Sequence, residues 1–229
     1  MATSTRMRLV SGLVGLSCLL AACGGAGANS AQGPTATFPP PQTESPVPTN
    51  GGSSSPGGSP TESPVPPEQP VPTESSPPGD IPDNTAFIAY HAPGGFTIRV
   101  PEGWARTRKG TDVTFTDKLN TISAAWLSAA SPTTVASAKQ ADVSALRDAQ
   151  RAFRLGQVRS VTLPGGKAVL ITFQANSEPN AVTGKQYRLD VERFEFSRGG
   201  EEAVLTLSSP VGADNVDPWR IVSESFAWS

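Results

Sequence analysis

Hydrophobic and polar residues follow three successive rhythms along this chain. Leu9 to Leu20 is apolar apart from Ser11, Gly12, Gly15 and Ser17. Gly24 to Asn84 shows no periodicity. From Phe87 onward apolar and polar residues alternate as in strands, with two stretches at helical spacing.

In the third region, Phe87 to Tyr90 predicts a short strand, and His91-Ala92-Pro93-Gly94-Gly95 a turn. Phe96, Ile98 and Val100 share one face of the next strand, which Pro101-Glu102-Gly103 ends. The segment 112–116 alternates again, and Ile122, Ala124 and Trp126 form one face of another strand. The spacing then changes. Ser131 as N-cap and Pro132 as first helical residue predict a helix, with Val135, Ala138, Ala141, Ala145 and Ala149 on one stripe beside Leu146. This helix should end between Arg151 and Leu155.

Strands return at Val161 and Leu163, and Pro164-Gly165-Gly166-Lys167 predicts a hairpin. Val169, Ile171 and Phe173 lie opposite Ala168 and Leu170, as in a central strand. Tyr187, Leu189 and Val191 are out of phase with Phe194 and Phe196, which predicts a bulge near Glu192-Arg193. Arg198-Gly199-Gly200-Glu201 predicts another hairpin before Ala203, Leu205 and Leu207. Asp217-Pro218 should open a last helix, with Trp219, Val222 and Phe226 on one stripe. The fold class expected is α+β, an antiparallel sheet flanked by helices.

The first region has the length of a signal-peptide core and falls short of a membrane span, which needs about 20 residues. Arg6 and Arg8 precede it, and Leu20-Ala21-Ala22-Cys23-Gly24 closes it. This ending resembles the lipobox of bacterial lipoproteins: an aliphatic residue, two small ones, then Cys. The resemblance implies a signal peptide over 1–22, with Leu20, Ala21 and Ala22 recognised by the lipoprotein signal peptidase. It also implies a diacylglycerol on the Cys23 thiol and a chain anchored on the extracytoplasmic face of the cell membrane. Two acyl chains at one residue satisfy the requirement for stable anchoring that a single chain does not meet.

Composition explains the second region. Sixteen of the 23 prolines lie between Pro34 and Pro82. Thr43-Glu44-Ser45-Pro46-Val47-Pro48 recurs as Thr61-Glu62-Ser63-Pro64-Val65-Pro66, too short and polar for a solenoid. Such a stretch cannot bury enough apolar surface to offset its ordering entropy. A disordered linker is therefore expected over 23–84, and a single domain over 85–229. Fully extended, about 60 residues reach about 190 Å; as a coil they span about 45 Å.

Charge and cysteine content narrow the chemistry. The linker holds six acidic residues and no Lys or Arg, while 85–229 carries 16 Lys and Arg against 14 Asp and Glu. That near-balance does not suit nucleic-acid binding, which needs a concentrated basic surface. Cys18 and Cys23 are the two cysteines and both precede the domain, so a disulfide or thiolate metal site within it is excluded.

The segment Tyr90-His91-Ala92-Pro93-Gly94-Gly95-Phe96-Thr97-Ile98-Arg99-Val100-Pro101-Glu102-Gly103-Trp104 resembles the opening of PsbP-like domains. These occur in a photosystem subunit, in a eukaryotic nuclear-import cofactor and in actinobacterial lipoproteins of the LpqN type. Similar domains resemble the extracellular sensor regions of some bacterial Ser/Thr kinases. The matching features are a Gly-Phe strand, Val-Pro-x-Gly-Trp and a terminal helix. The resemblance implies a fold and a binding-module role, and it assigns no functional residue.

No catalytic constellation emerges, and no cofactor or metal is expected. His91 is the one histidine and reads as an exposed turn residue. There is no Gly-x-Ser-x-Gly elbow, and Gly165-Gly166-Lys167 lacks the rest of a phosphate loop. Asp190, Glu192 and Glu195 share one strand, with Asp190 and Glu192 on one face, where two carboxylates could do acid–base work on a sugar. Trp126, Trp219 and Trp228 point inward by periodicity, and Trp104 after its turn should be half exposed. Arg147, Arg151 and Arg154 fall at i, i+4 and i+7, so with Trp104 they form a candidate partner contact. The function expected is a non-enzymatic binding or accessory module presented to the cell envelope, its partner an envelope protein, a wall polymer or a small apolar ligand. The alternative is an envelope hydrolase using exposed carboxylates.

Overall fold

Glycine pairs lie in three of the hairpin turns, at Gly94-Gly95, Gly165-Gly166 and Gly199-Gly200. Gly199 and Gly200 both adopt positive φ (56° and 85°), the conformation a tight two-residue hairpin turn needs. The computed structural model describes residues 67–229. Leu20, Ala21, Ala22, Cys23 and the linker as far as residue 66 lie outside the described residues. Among the described residues no helix is long and apolar enough to cross a membrane.

The elements run β1 (Phe87–Ala92), β2 (Phe96–Pro101), β3 (Ala105–Lys109), β4 (Asp112–Asp117) and β5 (Asn120–Ser128). A helical passage follows: α1 (Val135–Ser137), a π turn (Ala138–Asp142) and α2 (Val143–Ala149). Then come β6 (Arg154–Leu163), β7 (Gly166–Asn176), β8 (Arg188–Arg198), β9 (Glu201–Pro210), α3 (Val216–Glu224) and β10 (Ala227–Trp228). The seven-stranded antiparallel sheet has the order β3-β4-β5-β9-β8-β7-β6, and a three-stranded sheet has the order β1-β2-β10. The α+β class is as expected; the smaller second sheet is an addition to it.

Each face of the large sheet has its own core. On one, Ile122, Leu170, Phe194, Phe196, Leu205 and Leu207 pack with Phe96, Ile98, Trp219 and Phe226 from the small sheet and the C-terminal segment. On the other, Val169, Ile171, Phe173, Leu189 and Val191 pack beneath Ala138, Val143 and Leu146 of the helical passage.

Several sequence expectations are corrected here. β8 pairs without a break with β7 from Arg188 to Phe196 and with β9 from Leu189 to Arg198, so there is no bulge at Glu192-Arg193. The apolar residues simply change face within a regular strand, Leu189 and Val191 toward the helices, Phe194 and Phe196 toward the small sheet. The irregularity lies in β6, between Leu155 and Val158. The first helix starts after Thr134, whose side chain forms a reciprocal capping box with Ser137, rather than at Ser131-Pro132. Its buried stripe runs through Ala138, Asp142, Val143 and Leu146, while Ala141 and Ala149 are exposed. The π turn adds a residue to one turn and rotates the inward face.

The packed body also begins upstream of the expected start at residue 85. Ile81 is 5% exposed and belongs to the first core. The Ile81 backbone N–H donates to Asn215 Oδ1 at 2.8 Å, and the Gly79 carbonyl accepts from Asn120 Nδ2 and Asn215 Nδ2 at 2.7 and 2.9 Å. Further upstream, Glu68 takes an ion pair from Arg151 at 2.7 Å and a hydrogen bond from Asn176 at 2.8 Å. Residues 67–84 are thus a strap on the body. The side chain of Asn215, at the N-cap of α3, is spent on this strap and does not cap the helix.

Candidate functional site

The change of face within β8 produces a wide concavity. Asp190 and Glu192 lie on the same side as Phe194 and Phe196, because side chains alternate along a regular strand. Over Phe194 and Phe196 that side is covered by the small sheet and the C-terminal segment. Over Asp190 and Glu192 it is open, and a cleft of about 1080 Å³ results. One wall is β6, with Arg154, Arg159 and Leu163; the other is α3, with Trp219, Arg220 and Glu224. Leu170, Thr172, Gln174 and Phe194 contribute to the floor.

Charge is distributed unevenly within it. Arg220 is held by Asp217 at 2.9 Å. Arg154 and Arg159 are exposed and form no ion pair among the described residues. Asp190 is exposed and accepts a hydrogen bond from Gln174 Nε2 at 2.9 Å. Glu192 is half-buried; desolvation raises its carboxyl above the usual range, the neighbouring Asp190 adds to the rise, and Arg159 opposes it. Trp219 is 7% exposed, so it stiffens the wall more than it offers a free ring.

The structure separates the arginines grouped by spacing. Arg147 on α2 places its guanidinium 5.9 Å from the Phe153 ring. Arg151, past the helix end, is engaged by Glu68 at 2.7 Å and Glu178 at 3.7 Å. Arg154, on β6, alone of the three lines the cleft. Trp104 is half-buried as expected and meets Trp219 edge-on at 6.4 Å. His91 is exposed and hydrogen-bonds Thr97 Oγ1 at 2.9 Å. Of the carboxylates, Asp190 and Glu192 share the cleft, while Glu195 points to the helix side, where it is 1% exposed. Arg159 escaped the sequence reading, although its two-residue spacing from Val161 and Leu163 places it on their face. Among the described residues no group of three His, Cys, Asp or Glu is arranged to hold a metal ion.

No protein-family model matches the chain, and no curated protein matches it. Solved structures of similar fold include the cyanobacterial PsbP protein (CyanoP) of Synechocystis, at 16% identity, covering 67% of this chain and 100% of that one, with a TM-score of 0.46. LpqN of Mycobacterium tuberculosis, described as involved in cell envelope biogenesis, is 17% identical and covers 63% of this chain and 91% of that one, with a TM-score of 0.39. A Bacteroides thetaiotaomicron protein is 11% identical over 62% of this chain, which spans 48% of that protein, with a TM-score of 0.40.

Proposed function

We propose that the chain is a membrane-anchored extracytoplasmic lipoprotein, held through Cys23, whose body is a non-enzymatic binding or accessory module that receives its partner in the cleft between β6 and α3. The observation that carries this reading is the placement of Arg154 and Arg159, which form no ion pair among the described residues, over a partly apolar floor. Binding sites commonly set a few directed polar groups above an apolar base, and a free guanidinium is shaped for bidentate contact with carboxylate or phosphate. The cleft is open and charged, not closed and apolar, which favours an extended envelope protein segment or an anionic wall polymer over a small apolar ligand.

Two measurements test the two halves of the proposal. Arg154→Glu with Arg159→Glu should lower cosedimentation of the chain with isolated envelope at least about tenfold, the equivalent of about 1.4 kcal/mol. Equal cosedimentation of the double variant would remove the cleft from consideration. Cys23→Ala should move the protein from the detergent phase to the aqueous phase, and equal partitioning of both forms would remove the anchor.

One observation favours the hydrolase alternative: Glu192 is pushed toward the protonated form beside exposed Asp190, the kind of divergence that acid–base pairs use. The two carboxylates stand on one strand, however, two residues apart, whereas glycosidase carboxylates flank the bond they cut. Release of reducing ends from envelope polysaccharide, abolished by Glu192→Gln, would establish this alternative.

A further inference from the structure

The sequence Glu-x-Pro-Val-Pro occurs three times upstream of the body: Glu44-Ser45-Pro46-Val47-Pro48, Glu62-Ser63-Pro64-Val65-Pro66 and Glu68-Gln69-Pro70-Val71-Pro72. The third copy lies in the strap and is seated against the end of β7 and the turn after α2. Glu68 accepts from Asn176 Nδ2 at 2.8 Å and from Gln186 Nε2 at 2.9 Å, and pairs with Arg151 Nη2 at 2.7 Å. The Gln69 carbonyl accepts from Asn176 Nδ2 at 2.9 Å, and the Val71 N–H donates to Asn176 Oδ1 at 3.1 Å. Asn176 is 4% exposed, and Arg188 Nη1 donates to the same Oδ1 at 3.0 Å, so the body itself sets the orientation of this amide.

These contacts read the repeated positions and pass over the variable one. The carboxylate of Glu68 meets donors from three side chains. Pro70 and Pro72 favour extended backbone and have no N–H, which leaves Val71 as the one backbone donor between them. Gln69 is exposed, and its side-chain amide turns back to the Pro67 carbonyl at 3.1 Å. Only the Gln69 carbonyl faces the body, so the serines at 45 and 63 fit that position equally well. Six residues beyond Glu68, Glu74 forms an ion pair with Lys185. Glu68 itself stands six residues beyond Glu62, so the second copy matches this contact as well.

We propose that Asn176, Arg151 and Gln186 form a peptide-recognition site for Glu-x-Pro-Val-Pro. It holds residues 68–72 here and exchanges them for the same sequence at 62–66 or 44–48, supplied by the same chain or by a second copy. The linker brings acidic residues and no Lys or Arg to a site that presents Arg151 and Lys185, so charge favours each exchange. Twenty-four residues separate Glu44 from Glu68. Exchange of the third copy for the first therefore moves the point of attachment by about 75 Å of extended chain. On the anchored reading above, this sets how far the body stands from the membrane; the site itself does not depend on that reading.

The test follows the Asn176 side-chain amide resonances in the full chain. Val47→Pro, Val65→Pro and Val71→Pro together remove the valine N–H from every copy and leave each residue of the body in place, and the resonances should shift. Synthetic peptides covering Thr61–Glu68 and Thr43–Asn50 should each return them to the wild-type position in a saturable titration. The first peptide carrying Glu62→Gln should bind at least about fivefold more weakly, because its hydrogen bonds lose the assistance of charge. Val71→Pro alone should leave the resonances near the wild-type position, since another copy fills the site. Independence from protein concentration would assign that copy to the same chain, and loss on dilution to a second one. Unmoved resonances in the triple variant, failure of either peptide to return them, equal binding of the Glu62→Gln peptide, or a shift in Val71→Pro as large as in the triple variant would each overturn the assignment.

Discussion

Phe226 lies flat on Phe196, with ring centroids 3.8 Å apart and planes 7° from parallel. Phe96 stacks on Phe226 at 5.4 Å, and Trp228 meets it edge-on at 5.3 Å. Phe226 sits just beyond α3, so the C-terminal segment is bound into the core through its exit as well as its helix. Phe226→Ala should cost about 3–5 kcal/mol, as for other buried aromatics, and Trp219→Ala a similar amount. Gly165→Ala should cost about 1–3 kcal/mol, because an added Cβ would run into the Phe226 carbonyl and ring. Denaturant midpoints check all three. An unchanged midpoint for Phe226→Ala would mean that the segment does not dock.

The strap should behave as part of the domain. Asn215 joins Gly79, Ile81 and Asn120 through one side-chain amide that is 2% exposed. Asn215→Ala leaves buried backbone and amide groups unpaired, at about 1–3 kcal/mol. A fragment beginning at residue 85 also loses the buried Ile81 side chain, worth about 1.5–3 kcal/mol. It should therefore unfold at clearly lower denaturant than a fragment covering Pro67–Ser229. Coincident unfolding curves would show that the strap contributes nothing.

The strands were readable wherever alternation met burial on one side, as at Phe96-Ile98-Val100 and Ala203-Leu205-Leu207. β3 was not, because every residue from Ala105 to Lys109 is exposed and no apolar position marks a face. In β8 both faces carry a core, one in each half of the strand, and a single strand cannot report which neighbour covers which half. The buried stripe of the helix could not be placed either, since the π turn at Ala138–Asp142 leaves no sign in apolar spacing. Ile81 was hidden because it is a lone apolar residue in proline-rich surroundings. For the cleft, the shared face of Asp190 and Glu192 was legible on one strand. Its pairing with Arg159 and Trp219 was not, as those residues come from elements that meet only in the tertiary fold.

Stability should fall as pH rises from about 4 to 7. Unfolded, Glu195 titrates near the ordinary glutamate value of about 4.3; folded, its carboxyl is pushed up to about 7. Between those values the folded chain holds a proton that the unfolded chain has released, so raising the pH favours unfolding, and the effect levels off above about 7. The difference amounts to about 4 kcal/mol. Glu192, also raised, adds to the slope. Glu68 acts in the opposite sense: the Asn176 hydrogen bond, aided by Gln186 and Arg151, lowers its carboxyl, so its contribution is lost as pH falls through that lowered value. Urea midpoints measured across this range should slope downward for the wild type and flatten in Glu195→Gln. The same slope in both would place the proton elsewhere.

Ala152 occupies the left-handed region, with φ 45°, in the turn between α2 and β6. This conformation costs an L-residue about 1–2 kcal/mol, so something must hold it. The neighbouring Arg151 carbonyl accepts from the Asn176 N–H at 2.8 Å, and the Ala152 carbonyl accepts from Arg188 Nη1 at 2.8 Å. Arg188 is 5% exposed and also donates to Asn176 Oδ1 at 3.0 Å, which fixes its guanidinium against the end of β7. Ala152→Gly removes the left-handed strain but adds about 0.5–1 kcal/mol of chain entropy to be lost on folding. The net expectation is a gain of about 0.5–1 kcal/mol. Arg188→Met should destabilise by leaving the Ala152 carbonyl without its donor. It should also let the turn relax toward negative φ, where glycine has no advantage. The gain from Ala152→Gly should then vanish in the Arg188→Met background, a coupling that a double-mutant cycle of denaturant midpoints measures directly. If glycine stabilises both backgrounds equally, the strain at Ala152 is held by the Arg151–Asn176 backbone bond, and Arg188 has no part in it.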